Sequence, residues 1–452
     1  MPVHVDPSDP PARGRALFVI ILLIGLAARL GWGWVQPTDD AFVERLPDQR
    51  EYLSLGRNLF KGVGLSFVDP RFGEVVYAFR TPGYPLFIAA CGGSLRAVRV
   101  AQAFVDTSTA LAVYLLARRW LSRGASTFAA GIVAFNPFLI YFSALALSET
   151  LFTALLAWGM CLLIRGSGSA SPPAEAGGPG GSAARSAPWS AILCWLAGGL
   201  LLAVSVLVRQ SAAPLPVLLG LVSAFVNRAG SPPYHRRWPL PSGATLVLLT
   251  GLVLLPWAYR NSRVMGVWIW TTTNGGITIY DGFNPDATGA SDQSFVEQMP
   301  ELRRMGELGR DEHLKRLAHE YVREHPHRVA ELAVIKAGRT WSPIPLSADY
   351  SGLKYKLVGL FYSLPFDLLV IAGLIVNVRD AGLPKAAKVF LLSPAIYFTV
   401  VHALSVGSLR YRIPVEPPMA IVAASGAAAL LGQFVPGRLG RWKRATEMRT
   451  AE

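Results

Sequence analysis

Long apolar runs separated by short polar ones organise this chain. Runs near the roughly twenty residues needed to cross a bilayer occur at 16–35, 84–117, 125–142, 148–165, 189–207, 211–227, 243–260, 355–377, 386–405 and 413–432. They predict about ten transmembrane helices in an all-α polytopic membrane protein, with 84–117 long enough to be broken. Two polar stretches interrupt the series. In 36–83, Tyr52, Leu55 and Leu59 recur at spacings of three and four, which predicts an amphipathic helix from about Asp48 to Lys61. In 261–354, the runs 267–270 and 277–280 read as strands around the turn residues Asn274-Gly275-Gly276, and 294–339 reads as helical. The expectation is a small mixed external lobe. The chain then divides into an N-terminal membrane region (1–260), this lobe (261–354) and a C-terminal membrane region with a basic tail (355–452).

Composition agrees: of 452 residues, 52% are hydrophobic and 16% charged, and the mean hydropathy is +0.37. The net charge of +14 would suit nucleic acid, but the basic residues fall in alternate short loops. Arg118, Arg119 and Arg123, then Arg165 and Arg185, then Arg228, Arg236 and Arg237, then Arg379, Lys385 and Lys388 all lie on the side of both termini. By the positive-inside rule that side is cytoplasmic, and nucleic acid is not a partner. The first run has no small-residue cleavage site after it and reads as an uncleaved span. Segment 166–187, rich in glycine, serine and proline, reads as a flexible cytoplasmic linker. Cys161 and Cys194 lie inside apolar runs and Cys91 near the start of another, so neither a disulfide framework nor a zinc site is expected.

Charged residues at the external ends of the spans are the candidates for chemistry. Asp48 begins the amphipathic helix, as an N-cap or as a base able to take a proton from a hydroxyl. Glu149 sits where two spans turn around; it either caps the next helix or works in a site. Arg80, stiffened by Pro82 and Pro85, suits a phosphate, since a guanidinium grips oxyanions with two N–H groups. Arg209, Arg260, Arg410 and Arg412 lie at the same face, more cations than anchoring requires. Arg29, inside the first run, either pairs with an acid or reaches outward. His325, His327 and His402 lack metal-ligand spacing, and no phosphate-binding glycine loop or serine nucleophile elbow occurs.

Together, Asp48-x-x-x-Tyr52, Leu59, Gly62-x-Gly64, Arg80-Thr81-Pro82-Gly83-Tyr84-Pro85, Ser148-Glu149, Arg260-Asn261 and Arg410-Tyr411-Arg412-Ile413-Pro414 resemble the GT-C membrane glycosyltransferases. The likeness is to the bacterial branch related to protein O-mannosyltransferases and lipid A aminoarabinose transferases. It implies a GT-C-like fold in the inner membrane and transfer of a sugar, with inversion, from a polyprenyl-phosphate donor on the external face. The acceptor would be a glycan, lipid or protein. By position, Asp48 is the base and Glu149 a second acid, and both are candidate ligands of a divalent metal. Arg80, with Arg260, Arg410 and Arg412, would hold the donor phosphate. Tyr52, Tyr84 and Tyr411 would wall the substrate pocket. The acid pair usual in the first loop is Asp48-Gln49 here, and Glu51 on the same helix is expected to point elsewhere. A lipid-linked sugar flippase would instead show repeats and mid-membrane charge pairs. A glycan polymerase or ligase would share the external, lipid-linked chemistry.

Overall fold

The computed structural model describes residues 11–167, 188–228, 242–347, 350–376 and 382–434. The first apolar run is one helix, α1 (Pro11–Val35), followed by α2 (Asp40–Glu44) and α3 (Pro47–Phe60). An antiparallel hairpin comes next, β1 (Phe67–Asp69) with β2 (Glu74–Val76), Phe67 lying opposite Val76. The run at 84–117 divides into α4 (Gly83–Ala90) and α5 (Leu95–Ala117), because Gly92 and Gly93 adopt φ of 68° and 69°. Left-handed residues end a right-handed helix, and glycine adopts them without a Cβ clash. The run at 125–142 is also interrupted: α6 (Arg123–Ala134) and α7 (Pro137–Ser143) meet at 49° across Asn136-Pro137. Then follow α8 (Glu149–Ser167), α9 (Pro188–Val208), α10 (Leu215–Arg228) and α11 (Ser242–Met265). Most of the proposed linker, 168–187, lies outside the described residues.

After the lobe helices α12 (Gly275–Gly282), α13 (Phe295–Gln298), α14 (Glu307–Glu324) and α15 (Pro326–Thr340), the chain returns through α16 (Leu353–Ile375), α17 (Lys385–Ala403) and α18 (Glu416–Phe434). Among the described residues, eight helices are long and apolar enough to cross a membrane, or nine if α6 and α7 form one bent span. The remaining expected span is α10, whose 14 residues make it short for a crossing. The protein is a polytopic, almost wholly helical membrane protein.

Apolar residues wrap the outside of the spans, as expected of a bundle solvated by lipid: Leu23, Leu248, Leu252 and Phe361 are exposed on α1, α11 and α16. Arg29 does not reach outward. Its Nε donates to Asp106 Oδ2 at 2.5 Å, and its other nitrogens donate to Gly25, Val133 and Ala134 carbonyls. Both side chains of the pair are fully buried. One guanidinium thus ties α1 to α5 and α6.

The lobe differs from its sequence reading. Residues 277–280 lie within α12 and 267–270 form no strand; the sheet is in the first polar stretch, 36–83, instead. A short apolar run is ambiguous between strand and buried helix, and here packing decided for helix. The two polar stretches also share one core. Leu55, Phe67, Phe72, Val76 and Phe79 from the first pack with Ile277, Phe295, Val296, Leu302 and Leu314 from the second. Glu307 accepts from the Tyr77 and Ala78 backbone N–H groups at 2.7 and 2.9 Å, locking the segment just before Arg80.

Candidate active site

Helix α3 starts at Pro47, which supplies the helical φ and has no N–H to satisfy. Its N-cap is Leu46 without a side-chain bond, so Asp48 sits inside the first turn and caps nothing. The Asp48 carboxylate is therefore free to face other groups. The next residue, Gln49, is fully buried. Its Oε1 accepts from Ala146 N at 2.9 Å and its Nε2 donates to Phe42 O at 3.3 Å. Where an acid pair was sought, the second member fastens α3 to the segment that leads into Glu149.

Three acids and three arginines from five parts of the chain meet here. Arg80 donates Nε and Nη2 to Glu51 Oε2 at 2.8 and 2.5 Å, and Nη2 also to Asp48 Oδ1. Arg410 donates Nη1 to Asp48 Oδ2 at 2.7 Å and Nε to Glu149 Oε1. Arg209 reaches the same Glu149 oxygen at 3.2 Å. The Arg410 guanidinium thus bridges the two carboxylates that sequence reading singled out, 101 positions apart in the chain. Glu51 joins them, against expectation. Residues three apart on a helix share a face, so Glu51 and Asp48 point the same way. Behind Glu51, Arg71 donates to its Oε1 at 3.1 Å and to Gln293 of the lobe at 2.7 Å.

The site also depends on close backbone approach. A Cβ on Gly83 would lie 2.6 Å from Leu207 O, so glycine alone lets the start of α4 rest on the end of α9, which Arg209 directly follows. Gly83→Ala is expected to lower stability by about 1–3 kcal/mol, since neither backbone has room to yield. Thermal unfolding in detergent measures this, and an unchanged midpoint would contradict it.

The aromatic candidates separate. Tyr411 lies under Arg209, with the guanidinium 5.4 Å from its ring centroid, and stacks on His402 at 3.6 Å. Tyr52 packs edge-on against Tyr84 at 5.0 Å and carries Arg80 over its ring at 5.3 Å. Tyr84 is fully buried, its hydroxyl donating to Gln102 Oε1 at 2.7 Å. It supports the cluster from behind and walls no open pocket. Two arginines stand apart. Arg260 donates to the Tyr77 and Leu65 carbonyls at 2.6 and 2.7 Å, holding the first polar stretch in place. Arg412 is buried against Glu416 and Ser363 at 2.7 and 2.9 Å, with Asn136 on the other Glu416 oxygen.

Burial acts on all three groups that α3 and Arg80 contribute. It would raise Asp48, but Arg80 and Arg410 outweigh it and hold this carboxyl below the usual carboxylate range. Burial, with the nearby Asp48 charge, pushes Glu51 up despite Arg80 and Arg71. Arg80 remains a cation because Asp48 and Glu51 overcome its own desolvation. Neighbouring carboxylates driven in opposite directions are a recurrent arrangement of acid–base sites.

A divalent cation does not fit this donor set as it stands. Both Asp48 oxygens accept from arginines, Glu149 Oε1 accepts from two, and the three acids are matched in charge by Arg80, Arg209 and Arg410. Glu149 Oε2 is buried without a partner among the described residues. It is a single oxygen, where magnesium or calcium needs six or more ligands. No group of three or more His, Cys, Asp or Glu side chains suited to a metal occurs among the described residues.

Sequence reading turned Glu51 away from the site and missed Arg71 and the His402 stack. The three-residue spacing from Asp48 could have found Glu51; nothing in the sequence brings Arg71 or His402 to the site.

No protein-family model and no curated protein sequence matches the chain. Solved structures do. Archaeal oligosaccharyltransferase AglB from Archaeoglobus fulgidus, in complex with an inhibitory peptide and a dolichol-phosphate, aligns with a TM-score of 0.54 at 13% identity, over 94% of this chain and 52% of that one. The apo form of the Archaeoglobus fulgidus oligosaccharyltransferase gives 0.56 at 13%, over 98% and 53%. ArnT from Cupriavidus metallidurans, bound to undecaprenyl phosphate, gives 0.50 at 17%, over 98% and 64%. The chain spans from about half to just under two thirds of these longer proteins.

Proposed function

From the fold of a GT-C membrane glycosyltransferase, which this chain has, we propose that the protein transfers a sugar from a polyprenyl-phosphate donor to an acceptor hydroxyl. The reaction would take place at the face of the cytoplasmic membrane that carries the Asp48–Glu149 cluster, the external face by the positive-inside reading. The acceptor is a glycan, lipid or protein. The observation that carries the proposal is the Arg410 bridge between Asp48 and Glu149, flanked by Arg80 and Arg209. It gathers a phosphate-binding charge and a base at one point. The polyprenyl phosphates in the solved ArnT and AglB structures support the choice of donor class.

In the proposed step, Asp48 takes the proton of the acceptor hydroxyl while the acceptor oxygen attacks the anomeric carbon from the face opposite the phosphate. The bond from that carbon to the phosphate oxygen breaks, and the lipid phosphate leaves with the electron pair, so the anomeric configuration inverts. Arg80, Arg209 and Arg410 stabilise the charge that builds on the leaving phosphate. The same arginines hold Asp48 and Glu149 when no donor is bound. A donor phosphate competes for their N–H groups, which loosens their hold on Asp48 and raises its affinity for a proton. A base held too low in the free protein is thereby tuned upward on donor binding.

Arg80→Ala is expected to raise the apparent KM for the lipid-linked donor roughly 10- to 100-fold, the value of one charge-assisted hydrogen-bonded contact. Release of polyprenyl phosphate from a lipid-linked sugar in reconstituted vesicles reads this out. An unchanged donor KM would remove Arg80 from the phosphate site. Mass spectrometry of envelope glycolipids, with and without the gene, tests the transferase assignment itself; identical glycolipid and glycoprotein profiles would sink it.

A further inference from the structure

Helices α1, α6 and α16 leave a groove of about 700 Å³ between them. Its walls are apolar, among them Leu17, Ile21, Phe128, Ile132 and Phe366, and Arg123 stands at one end. Chain connectivity places that end. Helix α6 runs from Arg123 toward Asn136 and α7, and α8 then starts at Glu149. Arg123 is therefore on the membrane face opposite the catalytic cluster, the face with the basic short loops. The wall from Arg123 to Phe135 is about 18 Å long at 1.5 Å per helical residue. One leaflet of hydrocarbon is about 15 Å deep, half of the ~30 Å core.

Arg123 lines this end of the groove, and the chain segments next to it carry further unmatched positive charge. Arg15, Arg118, Arg119 and Arg123 make no ion pair among the described residues. Arg118 lies close enough to Arg123 to feel its charge. Two glycines widen the slot: a Cβ on Gly14 or Gly124 would meet nothing within 4 Å. A cationic mouth over an apolar slot one leaflet deep matches one kind of molecule.

We propose that this groove binds an anionic phospholipid, its headgroup phosphate on Arg123 and one acyl chain between α1, α6 and α16. The site is separate from the donor site, whose arginines are on the other face, and it does not rest on the proposed reaction. Cations at the membrane surface attract anionic headgroups, and the slot adds specific chain contacts.

Native mass spectrometry of the full-length protein, purified in mild detergent and exchanged against phosphatidylglycerol or phosphatidylcholine, tests the proposal. Wild type is expected to retain one phosphatidylglycerol and to release phosphatidylcholine. Arg123→Ala should weaken retention roughly tenfold or more, the loss of a charge-assisted contact. Gly124→Leu and Gly14→Leu fill the slot where no neighbour is displaced, and each should abolish retention while the protein stays monodisperse. Equal retention of both lipids by wild type would overturn the headgroup assignment. Undiminished phosphatidylglycerol in both filling variants would overturn the groove.

Discussion

Asp48→Asn is expected to lower turnover by about 10²- to 10⁴-fold, the range for loss of a positioned general base. The amide can still accept from one arginine but cannot take the acceptor proton. Expression and membrane insertion should be unchanged, because Asp48 is only part-buried and caps no helix. Polyprenyl-phosphate release in reconstituted vesicles measures it, and wild-type turnover by the variant would end the role given to Asp48. The pH profile carries a second signature. Burial, outweighed by Arg80 and Arg410, leaves the Asp48 carboxyl below the usual range in the donor-free protein. It is therefore ionised throughout the neutral range. Its contribution to folding is present above the unfolded value of about 3.9 and is lost as pH falls through the lower folded value. On the proposed reading, a donor phosphate taking up those arginines is expected to raise the Asp48 pKa. As pH falls, kcat should therefore decline before kcat/KM does, since the first reports the bound complex and the second the free enzyme. Coincident acid limbs would show that the donor phosphate does not share those arginines.

The largest effect on stability is expected at the Arg29–Asp106 pair. Arg29→Met leaves Asp106 fully buried in the bundle with neither carboxylate oxygen partnered, since Oδ1 already lacks one among the described residues. The expected cost is about 3–5 kcal/mol, that of breaking a buried ion pair on one side. Two carbonyl contacts joining α1 to α6, and one within α1, disappear as well. Adding Asp106→Leu should restore most of the loss, because an apolar pair of similar volume leaves no buried charge. Thermal unfolding of the single and double variants in detergent reads both effects. Equal destabilisation by the two variants would mean that the pair matters for packing and not for charge.

The positions sequence reading got right share a physical reason. A segment in lipid must satisfy its backbone internally, so a run of apolar residues near twenty reads as a helix whatever surrounds it. The amphipathic α3 followed instead from periodicity, the three- and four-residue spacing of Tyr52, Leu55 and Leu59. Local rules failed where two answers were nearly equal. Residues 277–280 suit strand or helix, and contact of α12 with α14 selected the helix. The length of the run at 84–117 allowed a break, and the left-handed Gly92 and Gly93 show where it falls.

Tertiary structure alone decided which charges meet. Five external arginines looked equivalent in the sequence. Arg209 and Arg410 reach Glu149, whereas Arg260 holds backbone carbonyls and Arg412 is buried against Glu416. An ionic contact forms between atoms a few ångströms apart, and that distance depends on how α3, α8, α9 and the segment before α18 pack, not on spacing along the chain. Membrane placement and helical class were set by composition and periodicity, because lipid rewards them residue by residue. The site arose only when distant ends of the bundle were brought together.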